Sequence, residues 1–296
     1  MTEKKNIYAY LALLSIYFIW GTTYLAIKIG VQELPPALFT GLRWLAAGPL
    51  LMGILLLRKY KLPSKQDWIH LGISGMLLIG GGNGLVVFAE QWVPSGLTAL
   101  LITTVPFWVV GIDAFLPNGN KINSLVAFGL ILGLAGIVMI FGGDFTKLFE
   151  PTYFSGVVGL MIAVASWSVG TIYSKHKKIS VHPLMGAAGQ MIFAGVVITL
   201  FGLLIGESSR FQFTSSSLIA YLYLVVFGSL LGYGSYIYAI ANLPVSLVST
   251  YAYVNPIIAL FLGWLILDEP ITIWIAAASA VILAGVTFVK KGSGQK

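Results

Sequence analysis

The chain contains two copies of one pattern, one copy in each half. The residues that recur are Trp20 and Trp167, Lys28 and Lys175, Pro36 and Pro183, Pro94 and Pro244, and Pro106 and Pro256. The first three pairs are 147 residues apart and the last two pairs are 150 residues apart. Self-similarity at a fixed spacing decides architecture, because each copy must fold as the same unit. The sequence therefore predicts two repeats, which we place at residues 1–144 and 145–296.

Each copy is divided into apolar runs long enough to cross a bilayer. Of the 296 residues, 58% are hydrophobic and 9% are charged, and the mean hydropathy is +0.92. Such a chain cannot cover its surface with polar groups, so its solvent must be lipid. A helix needs about 20 apolar residues to span the hydrocarbon layer. We predict ten transmembrane helices, at residues 7–29, 36–57, 68–89, 96–115, 122–141, 153–174, 183–205, 217–239, 245–266 and 272–289.

The apolar runs also decide between helices and a transmembrane barrel. Barrel strands show segments of about 10 residues with alternating polarity, whereas the run from Leu45 to Leu57 is continuously apolar. The predicted fold class is therefore all-α membrane protein. The first run is too long for the core of a signal peptide and is expected to remain as a helix.

Few residues could carry chemistry. Cysteine is absent, which excludes disulfides, thiolate catalysis and thiolate metal sites. The three histidines, His70, His176 and His182, all lie near helix ends. An intramembrane enzyme would need a deep nucleophile, base or metal set. We therefore expect no catalytic residue, no metal site, no cofactor and no enzymatic activity.

Charge placement predicts the orientation in the membrane. Thirteen of the seventeen Lys and Arg residues lie at the N-terminus, at the C-terminus or in alternate loops between them. Positive loops face the cytoplasm, so both termini are predicted to be cytoplasmic in a multi-pass protein of the inner (plasma) membrane. The net charge of +7 is thus an orientation signal, and no nucleic-acid partner is expected.

Five helices in each repeat have a topological consequence. An odd number of crossings turns the second repeat upside down relative to the first. The predicted fold is two inverted five-helix repeats around a central cavity. Inverted repeats are typical of transporters that open a midplane site alternately to the two faces. The alternative is that the duplication only builds a stable ten-helix bundle that transports nothing.

Several short motifs resemble one known family. They are Phe18–Tyr24, Gly41–Gly48 with Arg43, Val93–Gly96, Ser249–Pro256, Asp268–Pro270 and Leu283–Gly285. Together they are similar to the EamA-type branch of the drug/metabolite transporter superfamily, over about the whole chain. The resemblance implies a basket of ten helices, a cavity lined mainly by helices 1, 3, 4, 6, 8 and 9, and export of amino acids or other small metabolites. Asp268-Glu269-Pro270 departs from the Gly-Glu pair that is commoner there.

Helices 1 and 6 carry the first candidate substrate-binding residues. Trp20, Thr23 and Tyr24 share one helix face, and the repeat places Trp167 and Thr171 on the equivalent face. Two indole rings are therefore expected near the centre, where they could stack on an apolar or cationic part of a substrate. The alternative is that both tryptophans only pack or face lipid.

Helix 3 contains the glycine-rich run Gly80–Gly84. Such a run is unfavourable in an ordinary helix, so it should serve either close helix packing or a flexible, moving helix. Asn83 lies within it, and its amide must bond either to a neighbouring helix or to the substrate.

Helices 4 and 9 hold matched prolines in mid-membrane. Pro106 and Pro256 each remove a helix hydrogen bond, so both are hinge candidates. Thr103 and Tyr253 precede these prolines by three residues and are candidates for lining the cavity. Their hydroxyls could instead bond to their own helix backbone. Three further candidates for the aromatic and polar lining are Tyr233, Tyr236 and Asn255.

Two charged side chains complete the candidate site. Arg43 lies inside helix 2 and Glu90 ends helix 3, and the two could form a pair. Arg43 is either a gate or orientation charge or a membrane anchor, and Glu90 is either a proton or cation site or simply solvated. No Walker sequence is present, so direct ATP drive is excluded. Either Glu90 or Arg43 takes part in proton coupling, or the protein is a facilitator or exchanger driven by the gradient of the substrate itself.

The sequence thus predicts an inner-membrane exporter of small, amino-acid-like or aromatic metabolites that works by alternating access. The alternative is a broad-specificity extruder of drugs and cations, which would use the same aromatic cavity. The expected partners are a small-molecule substrate and the lipid bilayer. The expected oligomeric state is a monomer or a weak homodimer.

Overall fold

The fold is helical and extends across a membrane. A computed structural model describes residues 2–115, 122–141, 150–177, 179–243, 245–248 and 250–292, and this part of the chain contains helices and turns but no strand. Eight of its helices are long and apolar enough to cross a bilayer, and two shorter apolar helices complete the set. The predicted all-α membrane class and the ten helical regions are confirmed.

The helices begin and end close to the predicted positions. Their bounds are α1 Thr2–Val31, α2 Pro36–Leu57, α3 Lys65–Ala89, α4 Ser95–Ile102 and Val105–Ala114, α5 Ser124–Phe141, α6 Pro151–His176, α7 Pro183–Leu204, α8 Ser215–Asn242, α9 Val245–Val248 and Tyr251–Leu267, and α10 Ile273–Gly292. The largest difference is at α1, which begins at Thr2 rather than at residue 7. Helices α4 and α9, which hold the two candidate hinge prolines, are each interrupted.

Helix packing follows the duplication. Helix α1 packs against α8 and α9, and α6 packs against α3 and α4. Helix α2 pairs with α7, and α5 pairs with α10. Exchanging each helix for its copy in the other repeat converts every one of these contacts into another contact of the same set. This is what a two-fold relation between inverted repeats requires.

The copied helices α3 and α8 share a change of helix type. The middle of α3, Met76–Gly84, and the middle of α8, Leu224–Tyr233, are both π-helical. Hydrogen bonds in a π-helix skip one extra residue, which widens the turn and often marks a functional region. The glycine-rich run of α3 lies inside this segment. Both wide turns lie at the level of the matched tryptophans.

Two matched lysines tie helix ends together on opposite faces of the molecule. Each ammonium donates to two main-chain carbonyls at a helix end: Lys28 to Glu90 (2.6 Å) and Val93 (3.3 Å), and Lys175 to Ile240 (2.9 Å) and Leu243 (3.2 Å). A cation at the C-terminal end of a helix also interacts favourably with the helix dipole. Each lysine thus fixes the end of one helix of its repeat to another.

The pairing of α5 with α10 depends on backbone contact at glycines. A Cβ atom added to Gly285 would lie 2.7 Å from the Gly129 carbonyl oxygen and 2.8 Å from the Gly133 nitrogen. Small residues allow membrane helices to approach this closely, and van der Waals packing then holds them together.

We expect Gly285→Ala to destabilise the folded protein by about 1–3 kcal/mol, because the added methyl must push the two helices apart. The measurement is thermal unfolding of the purified protein in detergent. Gly53→Ala in α2 is the matched control, because no atom lies within 4 Å of the added Cβ. A variant at Gly285 that unfolds at the same temperature as the control would contradict the close contact.

Candidate functional site

The two matched tryptophans meet at the centre of the molecule. The ring centroids of Trp20 and Trp167 are 5.4 Å apart, with the planes at 78°. Each ring also lies in a gap left by a glycine on the π-helical segment of the other repeat. A Cβ on Gly232 would lie 2.6 Å from Trp20 Nε1, and a Cβ on Gly82 would lie 2.7 Å from Trp167 Cε3. The same tryptophan–glycine contact between the repeats therefore occurs twice, once for each tryptophan.

Three tyrosines surround this pair and complete what we call the aromatic cluster: Trp20, Trp167, Tyr233, Tyr236 and Tyr251. The Tyr236 ring lies 5.0 Å from Trp20 and 5.1 Å from Trp167. The Tyr251 ring lies 5.2 Å from Trp20, edge to face, and the Tyr233 ring lies 6.4 Å from Trp167. Such ring pairs contribute about 0.5–1.5 kcal/mol beyond their burial. The cluster is a rigid apolar surface with hydroxyl groups.

A narrow cavity of about 70 Å³ lies beside the aromatic cluster. Its walls come from α1, α3, α4, α6, α8 and α9, and also from α2 through Arg43 and Trp44. Ligand pockets commonly have about 300–1,000 Å³, so this cavity is small by comparison and has room for only a few water molecules. Six of the expected substrate-binding residues line it: Trp20, Thr23, Tyr24, Asn83, Trp167 and Tyr233.

Two other expected residues lie directly behind the cavity wall. The hydroxyl groups of Thr171 and Tyr236 are hydrogen-bonded to each other at 2.7 Å, and both residues are buried. Thr171 also donates to the Trp167 carbonyl oxygen, one turn earlier in α6, at 2.8 Å. These bonds hold Tyr236 against the two indole rings.

The remaining polar candidates lie away from the cavity. The buried Thr103 hydroxyl donates to the carbonyl of Leu100 in its own helix, the backbone alternative considered above. Asn255 is buried as well, and with its amide oriented to donate it bonds to the Tyr17 carbonyl at 2.8 Å. The side chain of Tyr253 lies outside the described residues. Sequence reasoning therefore identified the cavity-facing sides of α1 and α6 more reliably than it identified individual cavity residues on α4 and α9.

The two candidate hinge prolines occupy different places relative to the interruptions. Helix α4 stops at Ile102 and resumes at Val105, so Pro106 is the second residue of the resumed helix. Backbone N–H groups in the first turn of a helix have no acceptor within the helix, so a proline there costs no hydrogen bond. Pro256 instead lies inside the continuous part Tyr251–Leu267 of α9. The break and the proline are adjacent in one repeat and separated in the other.

Arg43 lies inside the protein rather than at the membrane surface. The side chain is 2% exposed, Nε donates to the Ser229 hydroxyl at 2.8 Å, and the guanidinium carbon lies 4.6 Å from the centre of the Trp44 ring. Neither snorkelling nor the expected pair with Glu90 is observed. Both carboxylate oxygens of Glu90 lack a hydrogen-bond partner among the described residues. Arg43 is held in the cavity wall because α2 presents that face to the π-helical segment of α8.

Glu90 follows the last residue of α3 and is fully buried. Burial raises the pKa of its carboxyl well above the ordinary value; the charge of Lys28 opposes this shift and that of Glu269 adds to it. Glu269 itself accepts hydrogen bonds from the backbone nitrogens of Ser95 (2.7 Å) and Gly96 (3.0 Å), at the start of α4. Glu90 therefore belongs to a closed, charged junction at one face.

The described part of the chain contains no group of three or more His, Asp or Glu residues that could hold a metal ion. The geometry is that of a mainly apolar cavity, lined by aromatic rings, between the two repeats. A family model described as the EamA-like transporter family matches residues 7–142 and again residues 154–290. The chain belongs to the EamA-like transporter family.

Two relatives show how far the similarity of this EamA-like transporter extends. It is 38% identical over 254 residues to the uncharacterized inner membrane transporter YedA of Escherichia coli (strain K12), covering 85% of this chain and 80% of that protein. It is 29% identical over 278 residues to the uncharacterized transporter YoaV of Bacillus subtilis (strain 168), covering 93% and 94%. The protein is thus a multi-pass transporter of the inner membrane.

A solved structure, described only as a crystal structure of a protein, shares the fold of this EamA-like transporter. The TM-score is 0.71 at 23% sequence identity, and the match covers 95% of this chain and 96% of the other. At this identity the likeness shows the fold alone.

A second, wider space of about 470 Å³ lies where α3 and α7 begin and α6 and α8 end. We call it the vestibule. Gln190, the repeat equivalent of Arg43, lies in its wall and separates it from the cavity. Its Nε2 donates to the Ser74 hydroxyl at 2.7 Å, and its Oε1 accepts from the Tyr233 hydroxyl at 2.8 Å. Because Tyr233 lines the cavity, these two bonds lie between the two spaces.

The sequence analysis of this EamA-like transporter missed three residues of the site: Trp44, Tyr251 and Ser229. Trp44 follows Arg43 directly, so once Arg43 was a candidate its neighbour could have been considered. Tyr251 lies inside the motif that marks α9. Ser229 gave no signal, because its copy in the first repeat, Ile79, is apolar.

Proposed function

We propose that this transporter exports small metabolites, amino acids or related compounds, from the cytoplasm by alternating access. One observation carries the proposal: Trp20 and Trp167, equivalent residues of two inverted repeats, meet in the cavity wall. A site shared equally by both repeats can open to one face when they take one arrangement and to the other face when they exchange it. The proposal assigns substrate contact to the aromatic cluster and to Thr23, Tyr24 and Asn83.

The route into the site is part of the proposal. The vestibule is the wider of the two spaces, and the cavity is too small to hold a metabolite in the present arrangement. The positive-inside rule supports a cytoplasmic location for the vestibule end, because Lys175 and Lys177 line it. A substrate would enter there, pass the bonds of Gln190 and reach the aromatic cluster when the repeats separate.

The orientation has a direct test because the chain has no cysteine of its own. A single cysteine replacing Leu62, in the exposed loop after α2, should react with a membrane-impermeant maleimide only from the cytoplasmic side. A cysteine replacing Ser208, in the exposed turn after α7, should react only from the outside. The measurement compares labelling of whole cells with labelling of inverted vesicles. Reaction of both positions from the same side would overturn the proposed topology.

Transport itself is tested with proteoliposomes loaded with a mixture of amino acids and other small metabolites. We expect one or a few related compounds to leave the protein-containing vesicles faster than they leave protein-free vesicles. The aromatic-cluster variant described below should lose this efflux. Equal retention of every compound by protein-containing and protein-free vesicles would count against export.

The drug and cation extruder is the second candidate, because aromatic rings also bind cations. The buried Arg43 in the cavity wall argues against it, since a positive charge repels cationic ligands in a medium of low dielectric constant. The same vesicle screen separates the two, because an extruder would release many unrelated cations rather than one chemical class.

A further inference from the structure

Arg43 is a buried charge that lacks a counter-ion in the described part of the chain. A guanidinium group carries five N–H donors. The hydrogen bond to Ser229 uses one of them, and Nη1 has no partner. The ionisable group that acts on Arg43 electrostatically is the hydroxyl of Tyr221, which is neutral at physiological pH. No carboxylate among the described residues forms an ion pair with it.

Such an arrangement is costly, because an ion removed from water loses several kcal/mol of solvation unless an opposite charge and hydrogen bonds replace it. Contact with the Trp44 ring replaces part of that loss. Charged residues inside a membrane protein that lack a partner usually serve a substrate or ion pathway. The position of Arg43 in the cavity wall indicates what could supply the missing charge.

One further unpaired donor lines the same cavity. The indole nitrogen of Trp44 is buried and has no hydrogen-bond partner in the described structure. An indole N–H can only donate. Together with Nη1 of Arg43, the cavity thus offers two buried donors that need acceptors. An unpaired acceptor, Oδ1 of Asn83, lies in the same wall.

The second repeat shows that packing of this helix does not require the charge. Gln190 occupies the position equivalent to Arg43, and both polar atoms of its amide are bonded within the protein. Each polar atom of the neutral copy therefore has a partner within the protein, whereas Nη1 of the charged copy has none among the described residues. The difference between the two copies lies in what faces the cavity.

We propose that Arg43 binds a carboxylate group of the transported molecule, and that the substrates are small carboxylates with an aromatic or apolar body. The proposal rests on the proposed function. The guanidinium and the Trp44 nitrogen would donate to the carboxylate oxygens, as charge-assisted hydrogen bonds require. The apolar body would lie against the aromatic cluster, and Asn83 Oδ1 would accept from an ammonium group where the substrate has one.

Three indole compounds test this, because they differ only in their charged groups. Tryptophan carries a carboxylate and an ammonium, indole-3-propionate carries only the carboxylate, and tryptamine carries only the ammonium. Binding to the purified protein in detergent is measured by isothermal titration calorimetry. We expect the wild type to bind one or both carboxylates at least tenfold more tightly than tryptamine.

The variants assign the effect to Arg43. Arg43→Gln should lose this preference, whereas Arg43→Lys should retain part of it, because lysine keeps the charge but not the forked geometry. Arg58→Gln, which removes an exposed arginine after α2, is the matched control and should bind as the wild type does. Thermal unfolding shows whether each variant is folded, and if Arg43→Gln is not, the wild-type preference and Arg43→Lys decide.

Two results would overturn the proposal. One is a wild type that binds tryptamine as tightly as the carboxylates, or that binds neither carboxylate. The other is a folded Arg43→Gln variant whose carboxylate affinities lie within twofold of the wild type. Neither result touches the proposed export function, because the vesicle screen would still identify a cationic or neutral substrate. If carboxylate binding depended on Arg43 but the vesicle screen showed no efflux, the proposed export function would fail and the carboxylate site would stand.

Discussion

Trp20→Ala should abolish transport while leaving the protein folded. The substitution removes an indole that contacts Trp167, Tyr236 and Tyr251 and that forms part of the cavity wall. A substrate would lose the stacking surface, and the remaining rings would lose the contact that orients them. We expect efflux from substrate-loaded proteoliposomes to fall at least tenfold, with Trp20→Phe falling less because part of the ring surface remains.

The matched control for this prediction is Trp264→Ala. Trp264 is 51% exposed on α9 and lies outside the cavity wall, so its loss should leave flux unchanged. If Trp20→Ala transports at the wild-type rate, Trp20 is not part of the site. Equal losses in the two variants would mean that any tryptophan deletion damages the protein.

Glu90→Gln should remove the dependence of transport on external pH. Burial raises the pKa of Glu90 well above its ordinary value, so the closed face favours the protonated carboxyl. Opening that face to water would let the pKa fall and release the proton, so opening becomes easier as pH rises. Lys28, Glu269 and Tyr24 are the titratable groups that face it electrostatically. Wild-type flux should therefore increase as the external pH rises from the acidic to the mildly alkaline range.

Glutamine at position 90 stays neutral at every pH, so the flux of Glu90→Gln should remain at the low-pH level of the wild type. Glu33→Gln is the control for the same face. Hydrogen bonds from the Thr214 hydroxyl and from Ser217 lower the pKa of Glu33, so that carboxyl stays ionised throughout this range. Its variant should keep the wild-type profile. A Glu90→Gln profile that rises in parallel with the wild type would exclude Glu90 from pH sensing.

Much of the fold could be predicted because membrane helices are constrained by length. A run of about 20 apolar residues can only span the bilayer as a helix. The recurring Trp, Lys and Pro residues then show which helix of the first repeat corresponds to which helix of the second. The meeting of Trp20 and Trp167 followed from the same reasoning, since equivalent residues of inverted repeats approach each other across the axis. These features depend on spacing along the chain, which the sequence displays directly.

The position of Arg43 could not be predicted in the same way. Counting residues from a helix end gives depth in the membrane, but the direction of a side chain depends on which neighbour the helix packs against. Arg43 points inward because α2 pairs with α7 and contacts α8. The π-helical segments were hidden for a related reason, since a shift of hydrogen bonds by one residue leaves the apolar pattern of a fully apolar helix unchanged.

The two lysine contacts have a consequence for the energy balance of the molecule. In a protein made of two identical inverted copies, exchanging the conformations of the copies would give a state related by a two-fold rotation and equal in free energy. Lys28 and Lys175 make the same kind of contact on opposite faces and so preserve this degeneracy. The residues that accept their bonds differ, with Glu90 on one face and Ile240 on the other. If the protein alternates between two such states, protonation of the Glu90 side chain beside one contact would shift the balance between them, because the apolar Ile240 beside the other contact does not titrate.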